Sequence, residues 1–236
     1  WYDMGYPECD GPQESPIHIN TAKTVYTDYP PFEFSHALGK LTTVTLTNNG
    51  HSVPGTLTNT NILHQKQYYI SFGGLHNGEY YLVNFHMHWG SSDDEGSEHE
   101  INGKKHVAEA HFVFRSDQTN ETAVLAYLFD VSDNENAQWA EYVLYASALK
   151  KVNQTKIYTT NIKQLMDGGK HEFLRYTGSL TTPPCTQGVI WTIFTHSIHL
   201  SAATFQLLRE NVFKTCFRPA QQLHKRLVHR NYHINF

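Results

Sequence analysis

Charge is scarce in this chain. Only 17% of its 236 residues are Asp, Glu, Lys or Arg, and 18 basic against 22 acidic side chains leave a net charge of −4. No basic run occurs, so the electrostatic footprint that nucleic acid or an anionic membrane surface requires is missing. Long apolar runs are lacking too. The longest, such as Ala123 to Phe129 and Gly188 to Phe194, are far too short to span a bilayer. Repeats, low-complexity tracts and linker-like shifts in composition are absent, which makes one domain over residues 1–236 the simplest expectation. Cysteine is limited to Cys9, Cys185 and Cys216, and an odd count leaves at least one thiol without a partner in the chain. The first residue is Trp1 and no charged-then-apolar leader follows it, so a processed or trimmed chain is expected.

Aromatic residues, at 13%, and histidine, at 16 residues, are plentiful. Segments rich in alternating, β-branched and aromatic residues read as strands: Leu41 to Asn48, Gln67 to Phe72, Tyr80 to Trp89, Lys105 to Arg115, Thr122 to Val131, Phe173 to Thr177 and Val189 to Phe194. Turn chemistry separates them at Asn48-Asn49-Gly50, Gly73-Gly74, Asn77-Gly78, Asn102-Gly103 and Gly168-Gly169. Helical spacing is confined to Asn136 to Leu149, followed by Lys150-Lys151, and to Ser201 to Glu210, where Ser201 suits a cap. The expected fold class is α+β, mainly β, around a large, mostly antiparallel twisted sheet with a few short peripheral helices.

Phe85-His86-Met87-His88-Trp89 is the sharpest local feature. Side chains alternate along a strand, so His86 and His88 share one face while Phe85, Met87 and Trp89 share the other. A second strand candidate, Glu109-Ala110-His111-Phe112-Val113, offers a third imidazole. Gly96 and Asn102-Gly103 let the chain turn within the 23 residues that separate His88 from His111. Three neutral imidazoles with a fourth position open are the ligand set of catalytic rather than structural zinc.

These segments, with Gly96-Ser97-Glu98-His99, Gly178-Ser179-Leu180-Thr181-Thr182-Pro183-Pro184, Glu14-Ser15-Pro16-Ile17-His18-Ile19 and Phe217-Arg218-Pro219-Ala220-Gln221, resemble the α-carbonic anhydrases in order and spacing over nearly the whole chain. The resemblance implies one zinc ion per chain on His86, His88 and His111, and reversible hydration of carbon dioxide to bicarbonate and a proton through zinc-bound hydroxide. It implies that Thr181 accepts a hydrogen bond from that hydroxide and that Glu98 fixes the direction of the threonine proton. Glu109 then accepts from the free nitrogen of His111, Asn84 orients His86, and His51 shuttles protons to buffer. Val113, Val124, Leu180, Thr182, Val189 and Trp191 fall on the family's substrate-pocket positions. The same resemblance implies inhibition by sulfonamides and small anions, and slow ester hydrolysis as a side activity. Cys9 and Cys185 match the disulfide of the extracellular members, which with acceptor sequons at Asn120 and Asn153 points to a secreted glycoprotein.

Four departures from the family pattern stand out. Trp1 aligns inside the family's usual N-terminus, so the tyrosine of the active-site network is expected to lack a counterpart. Glu14 replaces a glutamine, and Pro54 replaces an asparagine on the proton path. Asn84 replaces a glutamine and is one methylene shorter, which predicts a weakened or water-mediated contact to His86. Cys216 is left over, on a position whose main chain supports a zinc ligand in the family. Three rival readings are weaker. A zinc peptidase would need His-Glu-x-x-His, which is absent. A non-catalytic binding or matrix module of the same fold is expected to have lost zinc histidines. A closed structural site would require His99 as fourth ligand.

Overall fold

Alternation decides which residues build the sheet. In the computed structural model, which describes residues 5–76, 78–166 and 171–234, Tyr80–Trp89 is a strand that buries Phe85, Met87 and Trp89 completely. Its antiparallel neighbour Ala108–Ser116 sends Ala110, Phe112 and Phe114 to the same side, and Thr122–Val131 adds Ala123, Leu125, Tyr127 and Phe129. These residues form the larger apolar core. The alternate residues Val124, Ala126 and Leu128 face the other way and join a smaller core with Val189 and Trp191. The sheet therefore separates two cores, and His86, His88 and His111 alternate onto the side of the smaller one.

Among the described residues, twelve strands join one mixed sheet, and the helices are few and short. This is the α+β, mainly β class expected. Most pairings are antiparallel. Thr122–Val131 instead runs parallel to Gln187–Leu200, and the long connection between them carries the helix Ala137–Ser147 and the strands Thr155–Asn161 and Phe173–Ser179. Helix caps fall where the residue types suit them. Asn136 accepts from the main-chain N–H of Trp139 at 3.0 Å, and Ser201 caps Ala202–Asn211 through the N–H of Thr204. Trp139 anchors the first helix, fully buried, with its indole N–H donating to Leu165 O at 2.8 Å.

Several boundaries differ from the sequence reading. The strand expected from Lys105 begins at Ala108, because His106 and Val107 lead into it and bond elsewhere, to Ser97 Oγ and Phe129 O. The strand expected over Val189 to Phe194 extends over Gln187–Leu200, and Thr155–Asn161 was not expected at all. Of the turn candidates, Asn102 and Gly103 both take positive φ, at 51° and 79°, and close a two-residue hairpin between Ile101 and Lys104. Asn77 and the Gly168-Gly169 pair lie outside the described residues.

Candidate metal centre

Register brings the three histidines together. His86 pairs directly with His111 across the Tyr80–Trp89 and Ala108–Ser116 strands, and His88 pairs with Glu109. Ring centroids of His86, His88 and His111 lie 4.8–5.3 Å apart, and one ring nitrogen from each falls within 4.8 Å of the others. The remaining nitrogen of every ring is already engaged. His86 Nδ1 is 2.9 Å from Asn84 Oδ1, His88 Nδ1 is 2.7 Å from Cys216 O, and His111 Nε2 is 2.8 Å from Glu109 Oε1. His88 Nε2 is buried without any partner. A buried imidazole nitrogen with nothing to bond, beside two others in reach, is what a metal ligand set requires.

Electrostatics favour the neutral rings that a cation needs. Burial holds the pKa of all three below the ordinary histidine value, and for His86 the neighbouring His88 and His111 push it lower still. Burial alone would push the Glu109 carboxyl up. Attraction to His99 and hydrogen bonds from His111 and His99 outweigh that and hold it well below the usual range. Its two oxygens accept four times: Oε1 from His99 Nδ1 at 2.6 Å and from His111 Nε2, Oε2 from the main-chain N–H groups of Glu98 at 2.9 Å and His99 at 2.7 Å. His99 has its second nitrogen 2.7 Å from the Tyr176 hydroxyl. Both its nitrogens are committed, so it has none to offer as a fourth ligand.

The contact from Asn84 corrects the sequence reading. It reaches His86 directly at 2.9 Å, neither lengthened nor bridged. A register shift between Leu82 and Asn84 lies immediately before that contact.

Glu98 and Thr181 are both buried at the rim of the ligand set. Glu98 Oε1 accepts from the main-chain N–H of Arg218 at 2.8 Å. Burial raises the Glu98 pKa, while His111, the Thr181 hydroxyl and Arg218 oppose that rise. Glu98 Oε2 nonetheless has no hydrogen bond of normal geometry. Two glycines let the loop deliver Glu98. A Cβ on Gly90 would lie 2.1 Å from Glu95 O, and Gly96, at φ +144°, would put one 2.0 Å from Val107 O.

A cavity of about 470 Å³ opens over His86 and His88, lined also by Tyr6, Asn49, His51 and Pro54, and Glu98 and Thr181 line a smaller one of about 180 Å³ that shares His51 and His88 with it. Thr182 lines both. The five apolar pocket candidates belong to the smaller core: Val124, Val189 and Trp191 are buried in it, and Val113 and Leu180 pack against it. Val113, Val124 and Trp191 form one lateral row across three strands, and the Trp191 ring stands 4.8 Å from that of His111. His51 is exposed in a turn whose shape Asn49 fixes by accepting from the N–H groups of His51 and Ser52.

Two residues emerge here that the sequence did not single out. Tyr6 lines the cavity. Arg218 donates to Glu14 Oε2 and Ser15 O, each at 2.7 Å, and to Cys9 O at 2.8 Å, while its main-chain N–H holds Glu98. Its only signal was the Phe217-Arg218-Pro219 segment. Cys9 and Cys185 form a disulfide, and Cys216 is the free cysteine, its thiol pKa raised by burial. Asn120 and Asn153 are exposed, both with positive φ.

Comparison with known proteins agrees with this arrangement. A model of the eukaryotic-type carbonic anhydrases matches residues 1–232. Carbonic anhydrase 6 of Mus musculus is 31% identical, over 96% of this chain and 76% of its own length. Carbonic anhydrase 4 of Rattus norvegicus is also 31% identical, over 95% and 77%. Carbonic anhydrase 12 of Homo sapiens is 29% identical, over 96% and 69%. With the match covering almost the whole chain and a three-histidine cluster at its centre, the protein belongs to the eukaryotic-type carbonic anhydrase family.

Proposed function

We propose that this chain is a zinc enzyme that hydrates carbon dioxide reversibly to bicarbonate and a proton. The observation that carries the reading is the set of three neutral imidazoles, two buried and His86 half-buried, each with one nitrogen fixed by an acceptor and the other turned toward a shared point. His86 Nε2, His88 Nε2 and His111 Nδ1 are the nitrogens left to hold the ion. When bound, zinc on three nitrogens with an open position supplies the Lewis acidity that makes water a nucleophile at neutral pH.

The protein's own groups do the rest. Thr181 has a single proton; given to Glu98, it leaves the threonine oxygen able only to accept from the attacking group. That orients a lone pair toward the substrate and disfavours ligands with no proton to donate. The row of Val113, Val124 and Trp191 beside His111 supplies an apolar wall suited to a small uncharged substrate. His51, exposed at the cavity edge, accepts the product proton at a ring nitrogen and releases it to buffer. Pro54 offers no side-chain donor or acceptor on that route, which should slow proton transfer rather than hydration itself.

The same site implies inhibition by sulfonamides and small anions, and weak ester hydrolysis. The Cys9–Cys185 disulfide supports secretion into an oxidising compartment, where Asn120 and Asn153 would be open to glycosylation. Residues 1–236 then form one catalytic domain.

Stopped-flow hydration on the purified chain tests the reading, before metal removal, after it, and with zinc restored. The rate should vanish with the metal and return with it, and His51→Ala should make it depend more strongly on added imidazole buffer. A rate no better than buffer with zinc bound would leave a non-catalytic module on the same fold.

A further inference from the structure

A separate cavity, of about 430 Å³, opens where the Phe173–Ser179 strand meets the C-terminal segment. Arg175, Arg226, His76 and His229 line it with Tyr29 and Tyr176, and no carboxylate residue is among its described lining. His76 Nδ1 is already 2.7 Å from Glu121 Oε1, so the positive charge of the cavity rests on Arg175 and Arg226. None of its lining residues lines the cavity over His86 and His88.

Arg175 is only 5% exposed. A guanidinium buried so deeply ordinarily pairs with a carboxylate, because an unpaired buried charge is costly. Here it donates only to neutral oxygens: Nε to Thr192 Oγ1 at 3.0 Å, Nη1 to Gly74 O at 3.2 Å and Nη2 to Gly73 O at 2.8 Å. The rings of Tyr29, Phe173 and Phe32 lie 5.1, 5.3 and 5.9 Å from its central carbon. Burial pushes its pKa down to about 10, so the group stays charged at neutral pH. Five N–H donors meet three acceptors, which leaves two protons over.

Arg226 repeats the pattern. It donates to Leu223 O, Thr177 O, Glu14 O and Gln222 O, all main-chain carbonyls. The Glu14 carboxylate beside it is already taken by Arg218 at 2.7 Å. His229 Nδ1 bonds Thr27 Oγ1 at 2.9 Å, which leaves its Nε2 for another partner. Two guanidinium charges thus line one cavity with neither in contact with a carboxylate.

We propose that this cavity binds a small doubly charged oxyanion of the phosphate or sulfate class on Arg175 and Arg226. A dianion balances both charges, and its oxygens suit the donors that remain free, two N–H groups on Arg175 and one on Arg226. A singly charged carboxylate would leave one guanidinium uncompensated. The site is separate from the proposed chemistry and stands or falls independently of it.

Isothermal titration calorimetry on the purified chain near neutral pH, with inorganic phosphate and then sulfate at matched ionic strength, tests this. The decisive variant is Leu227→Glu. Leu227 lines the cavity with 64% of its surface exposed, so the change brings a competing carboxylate without disturbing the core. Arg226→Gln is the second variant. Both dianions should bind saturably at one site, and each variant should weaken them at least about tenfold. Phosphate should also raise the melting temperature of the parent but not of Leu227→Glu. Absence of saturable binding would overturn the proposal. So would affinity that Leu227→Glu leaves unchanged, or binding lost on chelating the metal yet retained in that variant.

Discussion

Glu109 has no exposed surface, yet four donors converge on its two oxygens, and its charge fixes the ring of His111 from behind. A glutamine there would keep the shape while replacing one acceptor with a donor, turned against His99 or His111. Glu109→Gln should therefore lower metal affinity about 10–100-fold, read by competition with a chelator of known affinity. Unchanged affinity would show that the carboxylate does not act on the ligand. Much at this scale was legible. His86 and His88 share a face by period alone, and Glu109 shares one with His111 for the same reason. Asn84 was misjudged because reach was counted in methylenes, whereas the side chain contacts His86 directly at 2.9 Å from a strand whose register shifts just before it. Tyr6 and Arg218 were hidden because their roles depend on contacts more than 40 residues away in sequence, which no local pattern encodes.

Among the elements, strands with a regularly buried face announced themselves, and Tyr80–Trp89 and Thr122–Val131 were read with their observed bounds. Thr155–Asn161 escaped because it is an edge strand that buries only Tyr158 and Thr160 and pairs on one side with Leu41–Thr47. Burial that sparse leaves no clear two-residue period. Gln187–Leu200 outran its reading because its parallel pairing with Thr122–Val131 resumes after a shift between Tyr127 and Phe129. The Thr181 loop is held by a different device. The disulfide ties Cys185 to Cys9, whose carbonyl accepts from the Arg218 side chain, and the Arg218 N–H in turn holds Glu98. Cys185→Ser should cost about 3–5 kcal/mol on the chain-entropy account, measured as a lower urea midpoint. Reductant should bring the parent down to the variant, and a parent indifferent to reductant would count against the disulfide as a stabiliser.

At the scale of the whole molecule, the sheet's two faces divide the work: the larger core stabilises, and the smaller one carries the site. Charge contributes at the periphery. Asp130 accepts from His106 and Lys104, and the hydrogen bond from His106 above all, against the opposing effect of burial, holds its carboxyl below the ordinary range. A depressed folded pKa means that the contribution is complete above the unfolded value near about 4 and fades as pH falls below it. Asp130→Asn should melt lower than the parent at neutral pH, with the gap narrowing below about pH 4; a constant gap from neutral pH to pH 3 would contradict that. The central claim is that His86, His88 and His111 form an open zinc site. X-ray absorption at the zinc edge, on protein with its metal content determined, tests it most directly. The account predicts one zinc per chain with three imidazole nitrogens at about 2.0–2.1 Å and one further light-atom ligand. Sulfur scattering at about 2.3 Å, a fourth imidazole, or no stoichiometric zinc would contradict it.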